Sequence, residues 1–280
     1  MGFGTMFKAN RALKAQKNGA TDEAVRLYEE CFAEGLNDAR YVLPYAVLII
    51  RQGRYQEARD FLVKHQKAPG MTADQKVNLI VDYAVCCFRL GDTDKAVRKL
   101  EELYRKGPNG LIYQTLGYLY VEQYDARGKA AFLARETEAQ EQEDPALTML
   151  AEAEGEAQPQ TLEEKWEAGR QKALSFNQEA VDYDDEDPIC LDNLGQTWYR
   201  VMDDPAEAKT WFEKAHEAKP EQIDTLYFLS RYDLEAGDTA AAVSKLEKAA
   251  EGKFSPLNYC SKEKIEEEIK ALKEAGSIHE

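Results

Sequence analysis

Phe88–Pro108 reads FRLGDTDKAVRKLEELYRKGP. Gly91 is followed five residues later by Ala96, then by Leu100 and Leu103, and the stretch closes on Pro108. The same Gly-to-Ala step of five joins Gly19 to Ala24, Gly53 to Ala58 and Gly237 to Ala242; Asp203 to Ala208 keeps the step with Asp in the Gly slot. Gly19 and Gly53 stand 34 residues apart, and so do Asp203 and Gly237. The stretch is one copy of a repeat, and the copy is the unit to be read.

The segments upstream of each turn repeat as well. YVLPYAVLIIRQG, VNLIVDYAVCCFRLG, LIYQTLGYLYVEQYD, CLDNLGQTWYRVMD and IDTLYFLSRYDLEAG all place apolar residues at helical spacing. Each carries a small residue near its middle: Ala46, Ala84, Gly117, Gly195 and Ser230. A small residue there admits a second helix at close range, and the Ala after each turn offers the same from the partner. Each copy thus reads as helix, tight turn, helix. One such pair cannot bury its apolar face, so the copies must stack.

This pattern resembles the tetratricopeptide repeat family, with matching residues at Leu116-Gly117-Tyr120, Leu194-Gly195, Ala96, Pro108, Ala215 and Pro220. The resemblance covers nearly the whole chain outside one insertion, although the family's Trp in the first helix is absent. It implies an all-α, right-handed α-solenoid of six helix-turn-helix repeats with a C-terminal capping helix, and a non-enzymatic role as a protein-interaction scaffold. A ligand-responsive sensor on the same solenoid is the alternative; sensors of that kind carry a DNA-binding module, whereas the first helix here is already repeat one.

The spacing breaks twice. Gly53 to Gly91 is 38, with the surplus in KAPGMTADQK, where Thr72 and Gln75 predict a capping box. Counting 34 forward from Gly91 reaches Asp125, and counting 34 back from Asp203 reaches Gly169. The residues between form an insertion at the turn of repeat four. The expected organisation is therefore 1–124 for repeats one to three and the first helix of repeat four, 125–168 for the insertion, 169–258 for the second helix of repeat four and repeats five and six, and 259–280 for the cap. Lys129–Thr161 holds eight acidic and two basic residues. It reads either as a disordered acidic loop or as a protruding hairpin formed by both helices of repeat four, burying Phe132, Leu133, Leu147, Met149, Leu150, Leu162 and Trp166.

The net charge of −16 argues against a nucleic-acid binder, since a phosphate-binding surface needs a basic face. The longest apolar run, YVLPYAVLII, has ten residues between Arg40 and Arg51 and falls short of the roughly 20 that span a bilayer. It reads as a buried repeat helix with Pro44 in its first turn. The basic N-terminal segment reads as the first repeat helix, capped at Thr5, so a cytoplasmic location is expected. The five cysteines have no metal or redox spacing, and Cys86-Cys87 read as small packing residues. DYDDED at 182–187 lacks the Gly and closing Glu of a calcium loop and reads as a helix cap at Asp187 before Pro188. No cofactor or metal is expected, and the oligomeric state is not encoded in these patterns.

In the tetratricopeptide family the first helices line a concave groove. Carried onto this register, the inward positions are Leu43, Val47 and Arg51; Val81, Val85 and Arg89; Gln114 and Tyr118; Asp192, Asn193, Gln196 and Arg200; and Tyr227 and Arg231. The mixture suits an extended or helical peptide. The Lys and Asn with which some members clamp chaperone C-termini are missing, since Leu43, Val47, Val81 and Val85 hold those places. Lys17, Arg51, Arg89 and Arg200 form a basic ladder with two readings. It is a positive strip that attracts an acidic segment, or a set of cations at helix C-termini, each stabilised by roughly 0.3–1 kcal/mol through the helix dipole.

Overall fold

The computed structural model describes residues 3–142 and 161–276. Among them the fold is all-α, with 14 helices and no strand. They are α1 (Phe3–Lys17), α2 (Thr21–Ala33), α3 (Ala39–Arg51), α4 (Tyr55–His65), α5 (Ala73–Arg89), α6 (Thr93–Tyr104), α7 (Gly110–Tyr124), α8 (Lys129–Gln142), α9 (Leu162–Tyr183), α10 (Pro188–Gln196, continued by one π-helical turn at Thr197–Val201), α11 (Pro205–Ala218), α12 (Ile223–Glu235), α13 (Thr239–Ala250) and α14 (Lys262–Gly276). The chain divides into two compact units: Met1–Thr115 with Ser255–Leu257, and Leu116–Phe254 with Asn258–Glu280.

Three helix pairs, α1/α2, α3/α4 and α5/α6, make up most of the first unit. Each pair closes at the small residues that the 34-residue pattern marks: Ala46, Ala84, Ala24, Ala58 and Ala96 are all fully buried. The turns between paired helices need a left-handed residue, and Gly19, Gly53 and Gly91 supply it at φ 78°, 75° and 87°. The core of this unit holds Tyr28, Tyr41, Ile49 and Leu62, with Leu43 and Leu257 partly buried against it. The predicted capping box is present: Gln75 N donates to Thr72 Oγ1 at 3.2 Å, and Thr72 N to Gln75 Oε1 at 3.0 Å.

Two local expectations fail here. Thr5 does not cap α1, which already begins at Phe3; its hydroxyl donates to Glu34 at 2.7 Å instead. Pro44 lies inside α3, not in its first turn, because Asp38 caps the helix earlier by accepting from Arg40 N at 3.0 Å.

The second unit repeats the scheme with two departures. In α10 the small residue Gly195 precedes its turn residue Asp203 by eight, where Ala46 and Gly53, Ala84 and Gly91, and Ser230 and Gly237 are separated by seven. The extra residue is absorbed by the π-helical turn, in which Met202 N donates to Thr197 O at 2.9 Å. Asp203 then takes the left-handed turn position at φ 57°. The insertion departs further. α7 stops at Tyr124, a 3₁₀ turn at Ala126–Gly128 follows, and α8 is a separate helix; α9, by contrast, starts at Leu162 and runs unbroken to Tyr183. Trp166 packs between Phe132 and Tyr124, with ring centroids 5.1 and 5.8 Å away. Leu147, Met149 and Leu150 lie outside the described residues.

Asp187 caps α10, accepting from Ile189 N at 2.8 Å and Cys190 N at 3.0 Å, with Pro188 at the first helical position. At the other end α14 lays Ile265, Ile269 and Leu272 on the α12/α13 core. All five cysteines are free and buried.

Candidate functional site

In the first unit the inward stripe is only partly open. Leu43 and Val47 on α3 are half-buried, and Arg51 is exposed. On α5, Val81 and Val85 are 4 % and 7 % exposed, so these two valines belong to the packed interior and do not line an open apolar groove. Arg89 is exposed, its guanidinium 5.5 Å from the Tyr55 ring. Gln114, at the start of α7, is half-buried. Lys17, Arg51 and Arg89 therefore present cations at the C-terminal ends of three successive first helices.

The second unit uses the same register positions differently. Tyr118, Asp192, Asn193, Gln196, Arg200 and Tyr227 are all buried, and a polar network joins most of them. Arg200 is its centre. Its Nε donates to Asp125 Oδ2 at 2.9 Å, Nη1 to Gln196 Oε1 at 2.7 Å and Nη2 to Glu122 Oε1 at 2.6 Å. The π-helical turn carries this guanidinium. Asp192 accepts from Thr225 Oγ1 at 2.6 Å and from Gln196 Nε2 at 2.7 Å. Arg231 pairs with Glu268 of α14, and its guanidinium lies 4.3 Å from the Tyr227 ring. Asn193 faces the tight contact of Gly117 with Asn177. Arg200 is thus satisfied by carboxylates of its own chain and drops out of the basic ladder.

The chain covers this network itself. Asn258 Nδ2 and Tyr259 N both donate to Asp224 Oδ1, at 3.2 and 3.1 Å. The Tyr259 ring lies 4.3 Å from the Arg200 guanidinium and 5.5 Å from that of Arg127, with Tyr227 and Phe228 rings at 5.4 and 5.0 Å. Arg127, Asp224, Thr225, Asn258 and Tyr259 were not among the residues marked by the repeat register, which reached Asp125 only as a turn position. The one feature that could have found Asn258 and Tyr259 is the length of the segment before the cap helix: eleven residues at 251–261, against four at 219–222 and four at 184–187.

Burial sets the electrostatics. It pushes the Asp192 carboxyl above its usual range, against the hydrogen bonds from Thr225 and Gln196. Burial, then the neighbouring Asp192, pushes Asp224 up as well. Burial would raise Asp125 too, but the Arg127 and Arg200 guanidinium groups outweigh it and hold that carboxyl at about 2. Desolvation favours the neutral acid and an adjacent cation favours the anion, so the two outcomes follow from distance to a guanidinium. Among the described residues no cluster of three His, Cys, Asp or Glu side chains is arranged to hold a metal ion.

The tetratricopeptide repeat family profile matches residues 10–71, which span most of α1 through α4. The chain thus resembles tetratricopeptide-repeat proteins, with the profile match confined to its first two helix pairs. Its solved-structure neighbours bear the fold out along most of its length. A thermophilic tetratricopeptide-repeat protein of Thermus thermophilus superposes with a TM-score of 0.57 at 15 % identity, covering 84 % of this chain and 98 % of that one. The type IV pilus biogenesis factor PilW gives 0.56 at 10 % identity, over 94 % and 97 %. An IFIT1 variant solved with m7Gppp-AAAA gives 0.53 at 16 % identity, over 90 % of this chain and 48 % of that one. At these identities the likeness is one of fold alone. No curated protein matches this sequence. The tetratricopeptide solenoid is a scaffold for protein interaction, and no described helix is long and apolar enough to cross a membrane.

Proposed function

We propose that this chain is a non-enzymatic cytoplasmic adaptor that binds a protein or peptide segment on the first-helix face of its N-terminal repeats. The observation that carries the reading is the contrast between the two units at equivalent positions. Arg51 and Arg89 are exposed, with Leu43 and Val47 half-open beside them, whereas Arg200 and Tyr227 are buried. A strip of Lys17, Arg51 and Arg89 in a protein of net charge −16 favours an acidic segment, steered by local complementarity and weakened by salt.

Charge reversal tests it. Val47→Glu combined with Arg51→Glu keeps buried positions untouched, and is expected to remove capture of an acidic partner segment while helical content is retained. Val85→Glu is unsuitable, since a buried glutamate there would unfold the repeat. Undiminished capture by the folded double variant would overturn the reading. A capped or uncapped RNA oligonucleotide serves as the counter-probe; saturable RNA binding lost on the same charge reversal would replace the peptide with a nucleic acid.

A further inference from the structure

We propose that the connector at residues 251–261 is a tethered occupant of a second peptide-binding face, formed in the C-terminal unit by Asp224, Arg200 and Tyr227, which accepts in trans an extended segment bearing a carboxamide followed by an aromatic residue. This face is separate from the N-terminal one, and the inference does not rest on it.

Topology does not require the connector's length. Four residues join α11 to α12 and four join α9 to α10, while the step from α13 to α14 takes eleven. The surplus is non-helical and turns back onto inward register positions. There it makes contacts of the kind an extended peptide makes with a helical-repeat surface. Its backbone N–H at Tyr259 and its carboxamide at Asn258 converge on one oxygen of Asp224. Its aromatic ring enters a slot with the Arg200 guanidinium on one side and Tyr227 and Phe228 on others. A main-chain donor fixed by a carboxylate gives affinity without sequence, and the slot for a flat ring beside a cation supplies selectivity.

The cation side of the receptor is prepared independently of the connector. Arg200 is held by Glu122, Asp125 and Gln196, and Asp192 by Thr225 and Gln196, so the guanidinium side of the slot persists when the connector's ring leaves. Asp224 takes its hydrogen bonds from the connector and is freed for an incoming segment. The cap helix has its own attachments: Ile265 and Ile269 in the core, Arg231 to Glu268, and Lys273 to Glu247 at 2.6 Å. Asn258 and Tyr259 can therefore exchange for an external segment while α14 stays docked and Leu257 and Cys260 keep the rest of the connector packed. Tethering raises its local concentration to roughly the millimolar range, which suppresses trans binding until the tethered contacts are weakened.

The test uses the full-length chain and a fluorescent synthetic peptide of residues 253–261, followed by anisotropy under reducing conditions. Asn258→Ala with Tyr259→Ala should bind the peptide saturably, with an apparent Kd lower than that of the wild type by about tenfold or more, as removal of a tethered competitor requires. Adding Asp224→Asn to that variant should weaken binding again, and a peptide with alanine at both positions should not bind. If the double variant fails to fold, Asn258→Ala alone leaves the aromatic packing in place and should show a smaller gain in the same direction. Absence of saturable binding by a folded connector variant, or equal binding by variant and wild type, overturns the proposal.

Discussion

Gly117 should be unable to accept even a methyl group while Asn177 is present, and should accept one at far lower cost when it is absent. A Cβ built on Gly117 lies 2.3 Å from Asn177 Oδ1 and 3.3 Å from Asn177 Cγ, well inside van der Waals contact. Asn177 cannot easily withdraw. Its Nδ2 donates to Thr197 Oγ1 at 3.0 Å, Ala173 O at 3.1 Å and Gly117 O at 3.3 Å, and the residue is fully buried. Overpacking of this kind costs about 1–3 kcal/mol, and displacing the amide forfeits hydrogen bonds worth about 0.5–1.5 kcal/mol each. The gain in helix propensity from Gly to Ala returns about 1 kcal/mol. Gly117→Ala is therefore expected to destabilise by about 1–3 kcal/mol. Asn177→Ala alone should cost a similar amount through lost hydrogen bonds and a small cavity. In the double variant the overlap with Asn177 is gone; the methyl still meets Asn193 Nδ2 at 3.3 Å, which must give slightly, and the propensity gain offsets this, so the variant should be about as stable as Asn177→Ala. The double-mutant cycle should show a coupling of about 2 kcal/mol. Urea unfolding followed by circular dichroism, with the slope checked for constancy, measures all four corners. Additive effects, or an unchanged midpoint for Gly117→Ala, would refute the register assigned to repeat four.

Arg200→Met should destabilise the C-terminal unit by about 1–3 kcal/mol, because it leaves half-buried Glu122 without its cation and buried Asp125 with Arg127 alone; an unchanged thermal midpoint would contradict the network. Asp192 and Asp224 have folded-state affinities for protons above those of the unfolded chain, so folding binds protons and stability should fall as pH rises from about 4 towards neutrality. Asp125 contributes oppositely, adding stability that is lost as pH drops through its depressed value of about 2. Asp224→Asn should flatten the neutral-range slope, read from thermal midpoints at several pH values. Asp203→Gly should be neutral or stabilising by up to about 1 kcal/mol, since glycine takes φ 57° without strain, whereas Asp203→Val should destabilise. Native protein should react slowly with a thiol reagent, because all five cysteines are buried and burial pushes Cys86 and Cys190 up to about 12; rapid native modification would count against the packing.

The repeat itself was legible because its rules are local. Gly at the turn is fixed by φ, and Ala24, Ala58, Ala96, Ala208 and Ala242 are fixed by the closest approach of paired helices; both constraints act at a constant offset and so recur every 34 residues. The same logic reached the caps at Thr72 and Asp187 and the stripe on α14. It did not reach the fate of the inward positions. Register places Arg51, Arg89 and Arg200 at one helical station, yet two are exposed and one is buried among carboxylates. One inserted residue, absorbed as a π-helical turn, and Glu122 on α7 with Asp125 just past its end, 78 and 75 residues away in sequence, decide that difference. Nor does register say whether a polar face meets water or its own chain. That was decided by an eleven-residue connector whose path is fixed by Asp224 and the aromatic slot. A periodic pattern encodes what each repeat must do for its neighbour, while the occupancy of the shared face depends on non-local contacts that appear only in the folded chain.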